Sequence, residues 1–222
     1  MKKIVVSLLA LLVLSAFNIR QDKKKIVFFG DSITQAGVSP GGYITRMTEL
    51  LRQKGLADKY ELVGKGIGGN KVYDLYLRME DDVLAQSPDV VVIWVGVNDV
   101  WHKRSFGTGT DPDKFEKFYT AIIRKLQAKN ITVYLCTPAA IGEKTDFSNE
   151  LHGDLNAYSN IIRKIAKANN CGLIDLRKSF LAYNVGNNTE NKASGILTTD
   201  RVHLNEKGNT LVAEEMLKAL IK

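Results

Sequence analysis

The sequence predicts an α/β fold in which one parallel sheet is covered by helices on both faces. Five short apolar runs alternate along the chain with segments of helical period, an order typical of β–α–β units joined by right-handed crossovers. The third run, residues 90–95, is apolar at every position, as a central strand buried on both faces should be. Strands are predicted at residues 26–29, 60–63, 90–95, 131–136 and 173–176.

The helices are predicted from caps and from the spacing of apolar residues. The clearest begins at Asp111 and Pro112, a favourable cap followed by proline at the first helical position. Its apolar side chains then recur on one face at helical spacing. A similar stripe starts at Leu155, and a last helix covers residues 210–221. These helices are the crossovers that a parallel sheet requires.

Long irregular stretches are predicted after strands three, four and five. They cover residues 101–110, 138–149 and 183–199, and the last is preceded only by a short helical turn near Ser179. Loops at the carboxyl ends of parallel strands are where such sheets build their sites. The functional residues are therefore expected at that edge.

The two cysteines are predicted to be free thiols. Cys136 lies at the carboxyl end of the fourth strand, whereas Cys171 lies just before the fifth. In adjacent parallel strands those ends are about 15 Å apart at roughly 3.3 Å per residue. A disulfide needs Cα atoms within about 7 Å.

Composition excludes several classes of protein. The 222 residues suit a single domain, and 45% hydrophobic residues are enough for a core. Two cysteines are too few for a disulfide scaffold or a Cys-rich zinc site, and no metal is expected. The net charge of +7 raises the question of nucleic acid, but the basic residues form no stripe with interleaved aromatics. We therefore expect no nucleic-acid partner, and the sequence leaves the oligomeric state open.

The first residues are typical of a secretory signal peptide. Two lysines precede an apolar run over residues 4–14 and then small residues, so we predict a signal peptide at residues 1–16, with cleavage between 16 and 20. The run is shorter than the about 20 apolar residues that span a bilayer. We expect export to the periplasm or the extracellular space, no stable membrane insertion after cleavage, and one domain over residues 25–222.

A serine, a histidine and an aspartate stand where nucleophilic catalysis would need them. Ser32 follows the first strand within Gly-Asp-Ser, although alone this tripeptide is also an ordinary turn sequence. Of the three histidines, His203 lies just before the last helix, with Asp200 three residues upstream to orient its ring. Two further loops, after strands two and three, offer glycine amides and the Asn98 side chain as donors to a developing oxyanion.

These segments, in this order, resemble the SGNH hydrolases, the superfamily of GDSL-type esterases and lipases. The resemblance implies that Ser32 is the nucleophile and that Asp200 and His203 complete a triad. It implies an oxyanion hole built by Ser32, Gly69 and Asn98. Where many relatives carry serine this chain has Gly68, which leaves the assignment open between the two glycines. The matching blocks are residues 30–34, 66–70, 96–99 and 200–205.

The resemblance also implies a three-layer flavodoxin-like fold with strand order 2-1-3-4-5, and ester hydrolysis that needs no cofactor. We expect an exported serine esterase acting on short-chain esters, above all acetyl esters, of small molecules or glycans. Trp101 and His102 follow the third block and are candidates for a substrate rim, although Trp101 could equally pack beneath its loop. A lysophospholipase or thioesterase remains the alternative within the family.

Two readings from other classes compete with this one. Gly64, Gly66 and Gly69 match a dinucleotide fingerprint between a strand and a helix, but no acidic residue ends the following strand about 20 residues on. That reading also leaves Ser32 and His203 without a role. The second is a catalytically silent glycan-binding module, because a fold alone does not dictate function.

Overall fold

The computed structural model describes residues 23–221, which contain a five-stranded sheet with every pair of neighbours parallel. The order β2-β1-β3-β4-β5 confirms the flavodoxin-like arrangement. The predicted signal peptide and its cleavage site lie outside the described residues. The strands are β1 (Lys24–Gly30), β2 (Tyr60–Gly66), β3 (Val90–Trp94), β4 (Thr132–Cys136) and β5 (Gly172–Ile174).

Eight α-helices connect and follow these strands within the described part of the chain. A single 3-10 turn, Leu84–Gln86, precedes β3. The helices are α1 (Ser32–Gly37), α2 (Tyr43–Gln53), α3 (Val72–Asp82), α4 (Val97–Ser105), α5 (Pro112–Gln127), α6 (His152–Ala168), α7 (Leu176–Asn187) and α8 (Glu206–Leu220).

The helices form the two outer layers of the fold. Helix α2 packs against α8, while α3, α5 and α6 pack in sequence with one another. All five residues of β3 are buried, as its unbroken apolar run predicts. Tyr43 of α2 packs edge-on against Phe28 of β1 and Trp94 of β3, which ties one helical layer to the central strands. None of the helices between residues 23 and 221 has the length and apolarity that crossing a membrane requires.

Two of the three predicted loops are partly helical, and those predictions were wrong. Helix α4 occupies the start of the stretch 101–110, and α7 replaces the short turn near Ser179 and the end of the fifth strand. Helix α4 buries only its first turn, residues 97–100, so its sequence lacks a helical apolar stripe. Helix α7 starts at an unpredicted cap, because the Asp175 side chain accepts the Lys178 N–H.

The last helix begins four residues earlier than predicted, at Glu206. The Asn205 side chain caps it by accepting the Gly208 N–H at 3.0 Å. Both cysteines are free, as predicted: Cys136 is buried at the end of β4 and Cys171 precedes β5.

Candidate active site

The candidate residues meet at the carboxyl edge of the sheet. Ser32 begins α1 directly after β1, Gly69 lies between β2 and α3, and Asn98 is in the first turn of α4 after β3. Asp200 and His203 belong to the segment between α7 and α8. Because parallel strands end at one edge, residues far apart in sequence converge there.

The turn after β1 is fixed by Asp31. Its side chain caps α1 by accepting the Ile33 N–H at 3.0 Å, and only 2% of the residue is exposed. Burial raises the pKa of Asp31 to about 7, against the opposing effect of the Ile33 hydrogen bond; the nearby Asp99 raises it further. The preceding strand is buried and the cap is satisfied, so Ser32 is held at a defined point on the sheet edge.

Ser32, His203 and Asp200 form one hydrogen-bonded chain. Ser32 Oγ lies 2.9 Å from His203 Nε2, and His203 Nδ1 lies 2.6 Å from Asp200 Oδ2. The second oxygen of Asp200 accepts the backbone N–H groups of His203 (2.8 Å) and Val202 (3.1 Å). Burial opposes ionisation of Asp200, but the hydrogen bonds from His203 and Val202 together outweigh it and lower the pKa of this carboxyl. An ionised Asp200 directs the Nδ1 proton towards itself, which leaves Nε2 free to accept a proton from Ser32.

The loop after β2 and the start of α4 are joined by a side-chain amide. Asn98 is 3% exposed and donates from Nδ2 to the Asn70 carbonyl at 3.1 Å, which leaves its second amide hydrogen for another acceptor. Gly69 has φ +76°, a left-handed conformation that favours glycine. The N–H of Gly68 is already donated to Gln35 Oε1 at 2.8 Å. The two adjacent glycines therefore differ in how their amides are engaged.

Arg78 ties this loop to strand β1, a role that sequence reasoning missed. Its guanidinium donates to Asn70 Oδ1 (2.7 Å), the Gly30 carbonyl (2.7 Å) and the Lys65 carbonyl (3.1 Å), and it pairs with Asp82 at 2.6 Å. Three of these acceptors lie at the ends of β1 and β2 and in the loop between β2 and α3. No motif marks Arg78, because a contact with backbone carbonyls leaves no pattern in the sequence.

Asp99 supports the same loop from α4. It is fully buried, and its Oδ1 accepts the Val72 N–H at 3.1 Å, at the start of α3. Burial raises the pKa of Asp99 to about 6, although the nearby Thr110 hydroxyl, the Val72 N–H and Lys71 lower it in part. The Thr110 hydroxyl does not reach hydrogen-bonding geometry, and Asp99 Oδ2 has no partner within residues 23–221.

The predicted rim residues lie on helix α4 rather than in a loop. Trp101 is half-buried and packs against the core. His102 borders the candidate site, because its Cε1 lies 3.8 Å from the position that a Cβ on Gly69 would occupy. Burial and the charge of Lys71 lower the pKa of His102, which favours the neutral ring. Of the two, His102 is the one that the structure brings next to the loop between β2 and α3.

The glycines of the dinucleotide pattern have a local explanation. Gly64 and Gly66 belong to strand β2, and a Cβ on Gly66 would lie 2.0 Å from the Gln35 backbone nitrogen. The absence of a side chain at Gly66 thus lets strand β2 approach the backbone of α1 closely. Within residues 23–221, no group of three His, Cys, Asp or Glu side chains could hold a metal ion.

Comparison with known proteins identifies the family and the relatives of this chain. Residues 28–211 match the model of the GDSL-like lipase/acylhydrolase family. An acetylxylan esterase of Geobacillus stearothermophilus is 30% identical over 213 residues, covering 89% of this chain and 94% of that enzyme. An isoamyl acetate-hydrolyzing esterase of Schizosaccharomyces pombe is 24% identical over 200 residues, covering 89% and 75%. The crystal structure of the acetyl xylan esterase AlAXEase superposes with a TM-score of 0.88 at 72% identity, covering 89% of this chain and all of that one.

Proposed function

The chain belongs to the GDSL-like lipase/acylhydrolase family and is a carboxylic ester hydrolase, and we propose that it removes acetyl groups from acetylated carbohydrates. The observation that carries the reaction is the hydrogen-bonded chain from Ser32 Oγ through His203 to Asp200. The choice of substrate is supported by the acetylxylan esterases, one of them 72% identical to this chain.

The proposed mechanism is a two-step acyl transfer through Ser32. His203 Nε2 takes the hydroxyl proton as Ser32 Oγ attacks the ester carbonyl, and Asp200 stabilises the resulting imidazolium. His203 then returns the proton to the leaving sugar hydroxyl, which leaves an acetyl group on Ser32. In the second step His203 deprotonates a water that attacks this acetyl-serine, and acetate departs as Ser32 regains its proton.

We propose that the oxyanion is held by the backbone N–H groups of Ser32 and Gly69 and by the Asn98 side chain. Gly69 is preferred to Gly68, because the Gly68 N–H is already donated to Gln35. Asn98 is suited to the task because the Asn70 carbonyl fixes its amide plane while one N–H stays available. A preorganised donor of this kind lowers the barrier without reorganising during the reaction.

The open setting of the acid–base pair is compatible with a polymeric substrate. The side chains of His203 and Asp200 are 37% and 51% exposed, so a sugar chain can lie along the sheet edge without entering a deep cavity. His102, beside Gly69, is the proposed rim residue; Trp101, which packs on the core, is the weaker candidate. We also propose that the enzyme is exported to the periplasm or outside the cell, where it encounters polymeric carbohydrate.

The decisive experiment compares wild type with Ser32→Ala. We expect acetate release from acetylated xylooligosaccharides by wild type and loss of at least about 10³-fold in the variant. Equal rates would exclude the mechanism, and acetate release by neither protein above the uncatalysed rate would leave a silent glycan-binding module. A chain-length series of aryl esters, with a lysophospholipid and an acyl thioester alongside, tests the substrate. A maximum at eight carbons or more, or preference for either alternative, would reject the acetyl assignment.

Export is tested separately, by sequencing the amino terminus of the protein released from a secreting host. A start between residues 17 and 21 is expected, and an intact Met1 in the released protein would contradict the predicted cleavage.

A further inference from the structure

The segment that carries Asp200 and His203 needs an anchor that these two side chains do not supply. It runs over residues 188–205, between α7 and α8. Both side chains are more than a third exposed, so their own burial does not fix the segment. Yet His203 must meet Ser32, which is 171 positions away in the sequence, at 2.9 Å. Something in the body of the protein must therefore set where this segment lies.

Glu143, in the loop after β4, contacts this segment through its carboxylate. Oε1 accepts the N–H groups of Leu197 (2.6 Å) and Thr198 (3.0 Å), and Oε2 accepts that of Ile196 (2.9 Å). Glu143 is 1% exposed, although glutamate is rarely buried to this extent. Three consecutive backbone N–H groups thus converge on one carboxylate, a concave arrangement that suits an anion.

Main-chain bonds on either side reinforce this contact. The Glu143 N–H donates to the Ala193 carbonyl at 3.0 Å, and the Gly142 N–H donates to the Arg201 carbonyl at 2.8 Å. Arg201 lies between Asp200 and His203 and has φ +87°, so the catalytic turn itself is bonded to the loop after β4. The loops 138–149 and 188–205 are therefore joined at several points around one charged group.

The anchored residues lead directly to the catalytic turn. Thr198 pairs with Leu204 in an isolated antiparallel bridge, and the Thr199 N–H donates to the His203 carbonyl at 2.8 Å. The Leu197 carbonyl also accepts the Asn205 N–H at 3.0 Å, so the backbone held by Glu143 is hydrogen-bonded to the residues that directly follow His203. A shift of residues 196–198 would be transmitted to the imidazole.

We propose that Glu143 is a positioning residue for catalysis, which holds residues 188–205, the acid–base segment, at the distance from Ser32 that proton transfer requires; this rests on the proposed function. The carboxylate is needed because both of its oxygens accept. A glutamine can present its oxygen to Leu197 and Thr198, but its NH2 group then faces the Ile196 N–H. One hydrogen bond is lost and two donors are opposed, so the segment moves away from Glu143.

The test compares Glu143→Gln with wild type on acetylated xylooligosaccharides. We expect kcat per active site to fall by about tenfold to a hundredfold, because displacements near 1 Å cost rates of that order, with KM changed less than about threefold. Active sites are counted by stoichiometric phosphonylation of Ser32, which removes any unfolded fraction from kcat. The downfield proton signal of the His203–Asp200 hydrogen bond, followed by NMR, should shift or broaden in the variant.

Asp175→Asn is the matched control. Asp175, directly after β5, is less buried than Glu143 but also has a carboxylate with several donors: it accepts from Arg163, Thr137 and the Lys178 N–H, none of which belongs to residues 188–205. Its loss should lower the melting temperature while kcat per site stays within about twofold of wild type.

Three outcomes would overturn the proposal. Wild-type kcat per site and an unchanged proton signal in Glu143→Gln would make Glu143 a stability residue only. If that variant does not fold, Glu143→Asp takes its place, because the shorter carboxylate keeps the charge but cannot reach all three amides. Wild-type kcat in a folded Glu143→Asp would equally reject the role. Wild type and Ser32→Ala with equal activity would remove the proposed function, and this inference with it.

Discussion

Asp200→Asn tests how the tautomer of His203 is set. Asp200 Oδ1 accepts two backbone N–H groups, from Val202 and His203, whereas Oδ2 faces His203 Nδ1. An asparagine will keep its oxygen on the two backbone donors, so its NH2 group will face Nδ1. The ring must then accept at Nδ1 and carry its proton on Nε2, where it cannot take the proton of Ser32.

The size of the loss follows from the cost of escaping this arrangement. Turning the amide round restores the active tautomer but leaves two backbone donors facing an NH2 group, at about 1–3 kcal/mol for each unsatisfied donor, or about 2–6 kcal/mol in all. At about 1.4 kcal/mol per tenfold, this predicts a fall in kcat/KM of about 30-fold to 10⁴-fold. Because the Asp200 side chain is 51% exposed, water can solvate the turned amide and favours the lower half of this range.

The assay is kcat/KM on an acetylated xylooligosaccharide, with nitrogen NMR of the imidazole to locate its proton. Asp146→Asn is the control, because Asp146 also accepts a backbone N–H two residues ahead, from Ser148, outside the acid–base segment. A loss below about threefold, or a variant whose proton remains on Nδ1, would refute the account of the tautomer.

Three further predictions concern the oxyanion, a buried acid and a close backbone contact. Asn98→Ala should lower kcat by about 10²–10³-fold with little change in KM. A rise in KM with kcat unchanged would instead show that Asn98 contributes to ground-state binding. Asp31→Asn keeps the cap of α1 but removes a carboxyl whose pKa is raised from 3.8 to about 7 by burial. In wild type this carboxyl lowers the free energy of unfolding as pH rises between those two values. The melting temperature of the variant relative to wild type should therefore rise from pH 4 to pH 8, and a difference that does not depend on pH would contradict this. Gly66→Ala should lower the free energy of unfolding by about 1–3 kcal/mol, because its Cβ would clash with the Gln35 backbone. An unchanged denaturation midpoint would show that α1 shifts to accommodate the Cβ at no cost in stability.

The fold could be predicted where burial imposes a pattern. All five strands were found because a strand buried on both faces must be apolar along its length, as residues 90–95 are. Helices α4 and α7 were missed for the opposite reason. Helix α4 buries only its first turn, and α7 contains Gly186 and two asparagines, so neither displays a strong apolar stripe. Their starts depend on local backbone and cap geometry after a strand, which single-sequence periodicity does not reveal.

In the candidate site, the sequence could single out residues that meet at the sheet edge, but not the side chains that support them. Ser32, Asn98 and His203 could be picked out because each follows a strand or precedes a helix within a recognisable block. Arg78 and Glu143 lie in no block, and both act on backbone groups of distant segments. A backbone N–H or carbonyl is the same at every position, so such contacts leave no trace in the residues that receive them.

Because these supports act on backbone groups, the site can be both exact in geometry and open to solvent. Asp200 and His203 are three residues apart, so their mutual geometry is local to one turn, while Ser32 is set by β1. The position of the turn 200–203 relative to the sheet edge is then the one quantity left to fix, and His203 Nε2 meets Ser32 Oγ there at 2.9 Å. Arg78 beside Ser32 and Glu143 beside the segment of His203 both hydrogen-bond to main-chain atoms. We therefore expect substitutions on the exposed face of residues 188–205 to leave the His203 imidazole in place, provided that Arg78 and Glu143 are kept.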